Sequence, residues 1–89
     1  MLRKELTIIN KLGLHARAAA KLVQTAAGFA SDIYLVHNGK KVSGKSIMGI
    51  MMLAASRGTV LEVTTSGPDE KEAMAAVESL ILDRFGENE

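Results

Sequence analysis

The dipeptide Asn38-Gly39 does most to limit what this chain can become. A two-residue type I′ turn needs positive φ at both central positions, and Asn-Gly is the pair that tolerates it best. Before the turn, Asp32 to His37 alternates, with Ile33 and Leu35 on one face and Tyr34 and Val36 on the other. After it, Lys40 to Ser43 reads as a short return strand. A β-hairpin therefore sits near the middle of 89 residues, which have room for one small domain.

The flanking segments extend this pattern. Leu2 to Ile9 alternates, with Leu2, Lys4, Leu6 and Ile8 on one side, and predicts a half-buried strand. Asn10 to Leu14 reads as a loop. Residues 16–27 follow helical spacing, with Ala19, Leu22, Val23 and Ala26 facing a core and Arg17, Lys21 and Gln24 facing solvent. Gly28 is the expected left-handed stop, with Phe29 folding back over the last turn. Ser46 suits the N-cap of a second helix running to about Ala55, with Ile50, Leu53 and Ala54 inward. Thr59 to Thr65 predicts a fourth strand, with Leu61 and Val63 inward. Pro68 fits the first position of a last helix, which continues through Ala73, Val77, Leu80, Ile81 and Arg84. Gly86 to Glu89 reads as a frayed tail. The order is β-α-β-β-α-β-α, and such a string packs as a two-layer α/β sandwich.

Composition narrows the chemistry. Hydrophobic residues make up 47% of the chain, enough for a real core, and there is no cysteine. That excludes disulfides, thiolate zinc sites and thiol nucleophiles. The first residues lack a signal-peptide pattern, and no apolar run reaches membrane-spanning length, so a soluble cytoplasmic protein is the default. The net charge of +1 hides an asymmetry: residues 1–57 carry +7 and residues 58–89 carry −6. A basic first part suits an acidic or phosphorylated partner, or is only a solvated surface. Three aromatic residues are too few for base stacking, so nucleic-acid binding is disfavoured.

Gly13-Leu14-His15-Ala16-Arg17 is the leading candidate site. It places a histidine at the start of a helix, where free N–H groups and the dipole favour phosphate. A neutral imidazole can also act as a phosphoryl acceptor. On residue type alone such a histidine is usually a cap or an idle exposed side chain. Gly39 to Ser46 spells a Walker A string, but its residues are needed for the hairpin, and too little chain follows for a nucleotide-binding sheet. His37 lies beside the turn without companions, and it forms no metal site with His15. From Ile47 to Ala55 the second helix is apolar all round, so Ile47, Met48, Met51 and Met52 cannot all be buried on one stripe. Adaptable methionines on a surface point to a partner.

Two of these segments resemble those of the HPr family, the histidine phosphocarriers of the bacterial phosphotransferase system. Gly13-Leu14-His15-Ala16-Arg17 resembles the family's phosphorylation-site signature. Gly44-Lys45-Ser46-Ile47-Met48-Gly49 resembles its regulatory serine segment. The resemblance covers essentially the whole length. It implies one domain over residues 1–89, with a four-stranded antiparallel sheet in order 1-4-2-3 and three helices on one face.

It also implies that His15 takes a phosphoryl group on Nδ1 from enzyme I and passes it to a histidine of an enzyme IIA. Ala16 and Arg17 would supply backbone N–H groups, and the Arg17 guanidinium would screen the moving charge. Protonation of His15 in acid would suppress acceptance. The protein would be a carrier rather than an enzyme, monomeric, without metal or cofactor. Ser46 would be the target of HPr kinase/phosphorylase. Ile47, Met48, Met51 and Met52 would form a docking patch bordered by Arg17, Ala20, Lys21 and Gln24.

The chain also departs from the family pattern. Ala18 stands where the family usually has proline, and Gln24 and Ala27 stand where enteric members carry lysine. Asn10 to Gly13 is more similar to the nitrogen-related branch, NPr. Two other readings use the same residues: a small hydrolase of the acylphosphatase kind, and an interaction module that signals only through Ser46.

Overall fold

The computed structural model describes all 89 residues. Four strands form one antiparallel sheet: β1 (Leu2–Thr7), β2 (Asp32–His37), β3 (Lys40–Ser43) and β4 (Val60–Ser66). Their order is β1-β4-β2-β3. Three helices complete the fold: α1 (Ala16–Ala27), α2 (Ile47–Met52) and α3 (Glu70–Leu82). The hairpin forms as the sequence predicts, with Asn38 at φ 51° and Gly39 at φ 78°, and His37 opposite Lys40.

The strand period sorts side chains to two faces. Leu6, Ile33, Leu35, Leu61, Val63 and Thr65 are buried beneath the helices, whereas Glu5, Thr7, Tyr34, Val36, Glu62 and Thr64 lie on the open face. Lys4 shares the inward row, opposite Val63, but β1 is an edge strand. Its ammonium reaches out to Glu78 of α3 at 2.7 Å. A charge on the inward row of an edge strand also discourages edge-to-edge pairing. α1 contributes Ala18, Ala19, Leu22 and Ala26 to the core, while Val23 packs at its margin. Alanine is the best helix former and is small enough to let the helix lie close to the sheet.

Several boundaries differ from the sequence reading. β1 ends at Thr7, although Ile8 still donates to the Thr59 carbonyl at 2.9 Å. Gly28 closes α1 at φ −75°, not in the left-handed region. Tight bonds from Gly28 N–H to the Thr25 carbonyl and from Phe29 N–H to the Ala26 carbonyl finish the helix instead. α2 stops at Met52, because Ala54 adopts φ 50°. The turn sends Ala54 outward and buries Ala55 in its place. Pro68 precedes α3, whose N-cap is Asp69. The Asp69 carboxylate accepts from the N–H groups of Ala30 and Ser31, both at 2.9 Å, so it ties the start of α3 to the start of β2.

Arg84 falls outside α3. Arg84, Phe85 and Gly86 take φ values of 56°, 55° and 77°, and the chain reverses. Left-handed φ at a non-glycine residue costs about 1–3 kcal/mol. The Phe85 ring is fully buried, which offsets that strain, and its carbonyl accepts from the Lys21 ammonium at 2.6 Å. Phe85→Ala should therefore lower unfolding free energy by about 3–5 kcal/mol. Urea denaturation measures this, and the Gly86–Glu89 amides should lose hydrogen-exchange protection in the same variant.

Candidate functional site

His15 is the N-cap residue of α1, with extended backbone (φ −74°, ψ 177°) and no capping bond from its own side chain. Its carbonyl begins the helix ladder by accepting from Ala19 N–H at 2.8 Å. The N–H groups of Ala16 and Arg17, both exposed residues, lie at the helix start, where the N-cap side chain makes no bond. Those donors and the dipole make this end of α1 favourable for an anion. Arg17 is exposed and makes no ion pair, so its guanidinium is available to a ligand.

The loop before His15 is held rigidly. Gly13 has φ 68°, and a Cβ there would lie 2.5 Å from the Ala55 carbonyl oxygen and 2.8 Å from Ser56 Cα. Leu14 N–H donates to that same Ala55 carbonyl at 2.9 Å. Only glycine allows this approach, so Gly13 fixes where the chain stands when it reaches His15. Asn10 is fully buried, and its Nδ2 donates to the Gly13 carbonyl at 2.8 Å.

The C-terminal tail forms the other wall, in contrast to the frayed end expected from sequence. Glu87 accepts from Asn10 Nδ2 at 2.9 Å through one oxygen and is hydrogen-bonded to His15 Nε2 through the other. Farther out, Lys11 N–H donates to the Glu89 carbonyl at 2.6 Å, and the Lys11 ammonium pairs with the Glu89 side chain at 3.1 Å. His15, Arg17, Lys11, Leu12 and the tail thus line a cleft of about 730 Å³. Sequence reading missed Glu87 and Asn10. The available signal was Phe85 followed by Gly86: a lone aromatic next to a residue free to reverse the chain.

Burial pushes the Glu87 carboxyl up. Hydrogen bonds from Asn10 and His15, with the charges of His15 and Lys21, outweigh that and hold it below its ordinary value of 4.5. Glu87 is therefore a carboxylate at neutral pH. It can accept hydrogen bonds but not donate one.

The remaining candidates are spread along α1 and α2. Gln24 is exposed and Ala20 half-buried, while Lys21 is tied to Phe85 rather than pointing freely to solvent. Ile47, Met48, Met51 and Met52 are 43%, 72%, 42% and 61% exposed, so the apolar surface expected on α2 is present. Ser46 caps α2 by accepting from Gly49 N–H at 3.0 Å. Of the neighbouring lysines, Lys45 donates to the Phe29 carbonyl and Lys41 lies over the Tyr34 ring, 4.5 Å from its centroid. His37 is half-buried in β2 beside the turn. No group of three acidic, histidine or cysteine side chains is placed to hold a metal, and no helix is long and apolar enough to cross a membrane.

The family model described as "PTS HPr component phosphorylation site" matches residues 2–83. The chain belongs to the HPr family of the phosphotransferase system. It is 57% identical over 89 residues to the phosphocarrier protein HPr of Cupriavidus necator, covering both chains completely. It superposes on the crystal structure of HPr-C-His from Thermoanaerobacter tengcongensis with a TM-score of 0.96, at 48% identity and full coverage of both chains. A crystal structure of an HPr dimer from the same organism matches with a TM-score of 0.79 at 49% identity, over 98% of this chain and 100% of that one. Glu87 and Asn88 lie beyond the span of the family match.

The tail should undock in acid. Because the folded-state pKa of Glu87 is depressed, its contribution to stability is complete above the ordinary value of 4.5 and disappears as pH falls through the depressed one. Amide exchange or NMR shifts of Gly86–Glu89, followed against pH, should show the tail bound above pH 4.5 and releasing below it.

Proposed function

We propose that this member of the HPr family accepts a phosphoryl group on Nδ1 of His15 from phosphohistidine on enzyme I and donates it to a histidine of an enzyme IIA. The observation that carries this reading is the placement of His15. It sits beside uncapped helix N–H groups and an unpaired arginine, on a loop fixed by Gly13, within the residues the family model matches.

The chemistry asks little of the protein beyond position. The Nδ1 lone pair attacks phosphorus, the donor's P–N bond breaks, and that bond's electron pair returns to the donor imidazole. Both partners are imidazoles, so alignment is most of the work. The N–H groups of Ala16 and Arg17 and the Arg17 guanidinium would take up the charge of the transferring group. The exposed apolar side chains of Ile47, Met48, Met51 and Met52, with Arg17, Ala20, Lys21 and Gln24 along the border, form the surface we assign to partner docking. Fewer mobile charges border it than the sequence promised, since Lys21 is already bound. The protein acts in this reading as a cytoplasmic monomer.

Ser46 belongs to the same reading as a regulatory site for HPr kinase/phosphorylase. Its Oγ already faces the Gly49 N–H, and a phosphate there would bring about −2 charge to the surface next to the docking methionines.

Enzyme I with phosphoenolpyruvate should load the wild-type protein with acid-labile, base-stable phosphate, retained and not released. His15→Ala should take up none, and Arg17→Ala should load at least about tenfold more slowly. Label persisting in His15→Ala would overturn the assignment. Rapid release of inorganic phosphate would favour an acylphosphatase-like hydrolase. Ser46→Asp, which preserves an acceptor at the cap, should slow loading, whereas an unchanged rate would make Ser46 independent of the histidine.

A further inference from the structure

We propose that Met48, Met51 and Met52 form a reversible oxidation site: a peroxide turns their thioethers into sulfoxides, which weakens partner docking and leaves the fold intact. The inference rests on the reading of the exposed face of α2 as a docking surface and adds a chemical control over that surface.

The chain has five methionines and no cysteine, so no thiol competes for a two-electron oxidant. Three of the five lie on the six-residue helix α2. Met48, Met51 and Met52 stand at positions i, i+3 and i+4, so their side chains adjoin on one helical face. They are 72%, 42% and 61% exposed, and none belongs to the buried cluster or packs on its margin. Met74 on α3 is the opposite case, 5% exposed and part of that cluster. Met1 is exposed as well, but it stands at the far end of β1 from the loop that carries His15, with its amine paired to Glu70. One chain therefore holds thioethers of three kinds: exposed on the docking face, exposed elsewhere, and buried.

In the oxidation step a sulfur lone pair attacks one oxygen of hydrogen peroxide. An S–O bond forms as the O–O bond breaks, giving a protonated sulfoxide and hydroxide. The proton passes between them, and the products are sulfoxide and water. Sulfur has lost two electrons and the peroxide has gained them. A thiol-dependent methionine sulfoxide reductase returns the thioether, with the thiol oxidised to disulfide and the oxygen released as water. Each sulfoxide epimer has its own class of reductase.

The two oxidation states differ in what they ask of a partner. A thioether is apolar, flexible and adapts to an irregular surface. A sulfoxide oxygen must be stripped of water on docking, and that is costly unless the partner supplies a donor. The fold makes no such demand. Ile50 is the fully buried residue of α2, Leu53 follows it at 5% exposed, and the Ser46 hydroxyl accepts from Gly49 N–H at 3.0 Å. None of these contacts uses sulfur, so the oxidised side chains stay in water. His15 and Arg17 carry no sulfur either, so the defect belongs to binding and not to transfer, and it falls on KM.

The test treats the protein alone with hydrogen peroxide, and catalase removes the oxidant before enzyme I is added. Peptide mass mapping should find sulfoxide at Met1, Met48, Met51 and Met52 well before Met74. The thermal unfolding midpoint should not move. KM for loading by enzyme I should rise at least about tenfold with little change in kcat. Reductases for both epimers, with dithiothreitol, should restore it. M74L should respond to peroxide as wild type does. The triple variant M48L/M51L/M52L, whatever its own KM, should show the same value before and after treatment. Unchanged loading with all three sulfurs oxidised, a rise in KM that persists in the triple variant, or loss of loading accompanied by unfolding would overturn the proposal. If untreated wild type takes no label at His15, the phosphocarrier reading fails and the docking consequence with it, whereas the mapping reads the oxidation site on its own.

Discussion

One buried amide joins the two ends of this protein. Asn10 gives its N–H groups to the Gly13 carbonyl and to Glu87, so a single side chain both shapes the loop before α1 and receives the tail after α3. Its own Oδ1 has no hydrogen-bond partner. An orphaned buried acceptor costs about 1–3 kcal/mol, so the amide is held in this orientation by what its nitrogen does. Around it the backbone has little freedom. Gly13 is pressed against Ala55 and Ser56, and Leu14 is bonded to Ala55. His15 is therefore positioned by the junction of three segments and not by α1 alone.

The charge asymmetry of the chain takes on a physical meaning in this light. Every ion pair in the fold joins a cationic group from residues 1–57 to an acid from residues 58–89: the terminal amine with Glu70, Arg3 with Glu62, Lys4 with Glu78, Lys11 with Glu89, and His15 with Glu87. Exposed pairs of this kind contribute about 0–1 kcal/mol each. Their larger effect is on specificity of register, because they fasten β1 to β4 and α3 and fasten the first loop to the tail. They also leave Arg17 unpaired on the face where the cleft opens. Part of a charge pattern that suits an acidic partner, or only a solvated surface, is thus satisfied within the molecule, and Arg17 beside His15 is among the cations that stay unpaired.

The strands and α1 were legible because period and turn chemistry agree there. Asn38-Gly39 fixes the hairpin, alternation fixes which faces are buried, and Ala-rich helical spacing fixes α1 to its observed limits. Strand order was another matter: β4 lies between β1 and β2, and periodicity holds no information on neighbours in space. That order came from family resemblance. Local cues failed where tertiary packing decided the backbone. Gly28 had no need of a left-handed turn, and Ala54 and Phe85 took one although neither is glycine. The largest omission has the same cause. Gly86-Glu87-Asn88-Glu89 is short, polar and terminal, which reads as disorder. What orders it is the Phe85 ring in the core and partners some 75 residues away in sequence, such as the His15 that meets Glu87.

The site divides its work between two sources that are physically separate in the chain. In the proposed function the helix N–H groups and Arg17 would address the phosphoryl group, and they come from the start of α1. The acidic group that meets the imidazole comes from a tail anchored by the Phe85 ring, by the Lys21 bond to the Phe85 carbonyl and by the contacts of Asn10 and Lys11 with Glu87 and Glu89. Two separate sources can vary independently. The family match extends to residue 83, so the start of α1 lies inside the matched span and Glu87 lies outside it. Lys21 links the two: it stands on α1 one turn beyond Arg17 and donates to the Phe85 carbonyl, so one bond ties the helix to the start of the tail. In the proposed function the exposed methionines of α2 and the unpaired Arg17 would supply the contact area, next to the bond from Lys21 to the Phe85 carbonyl.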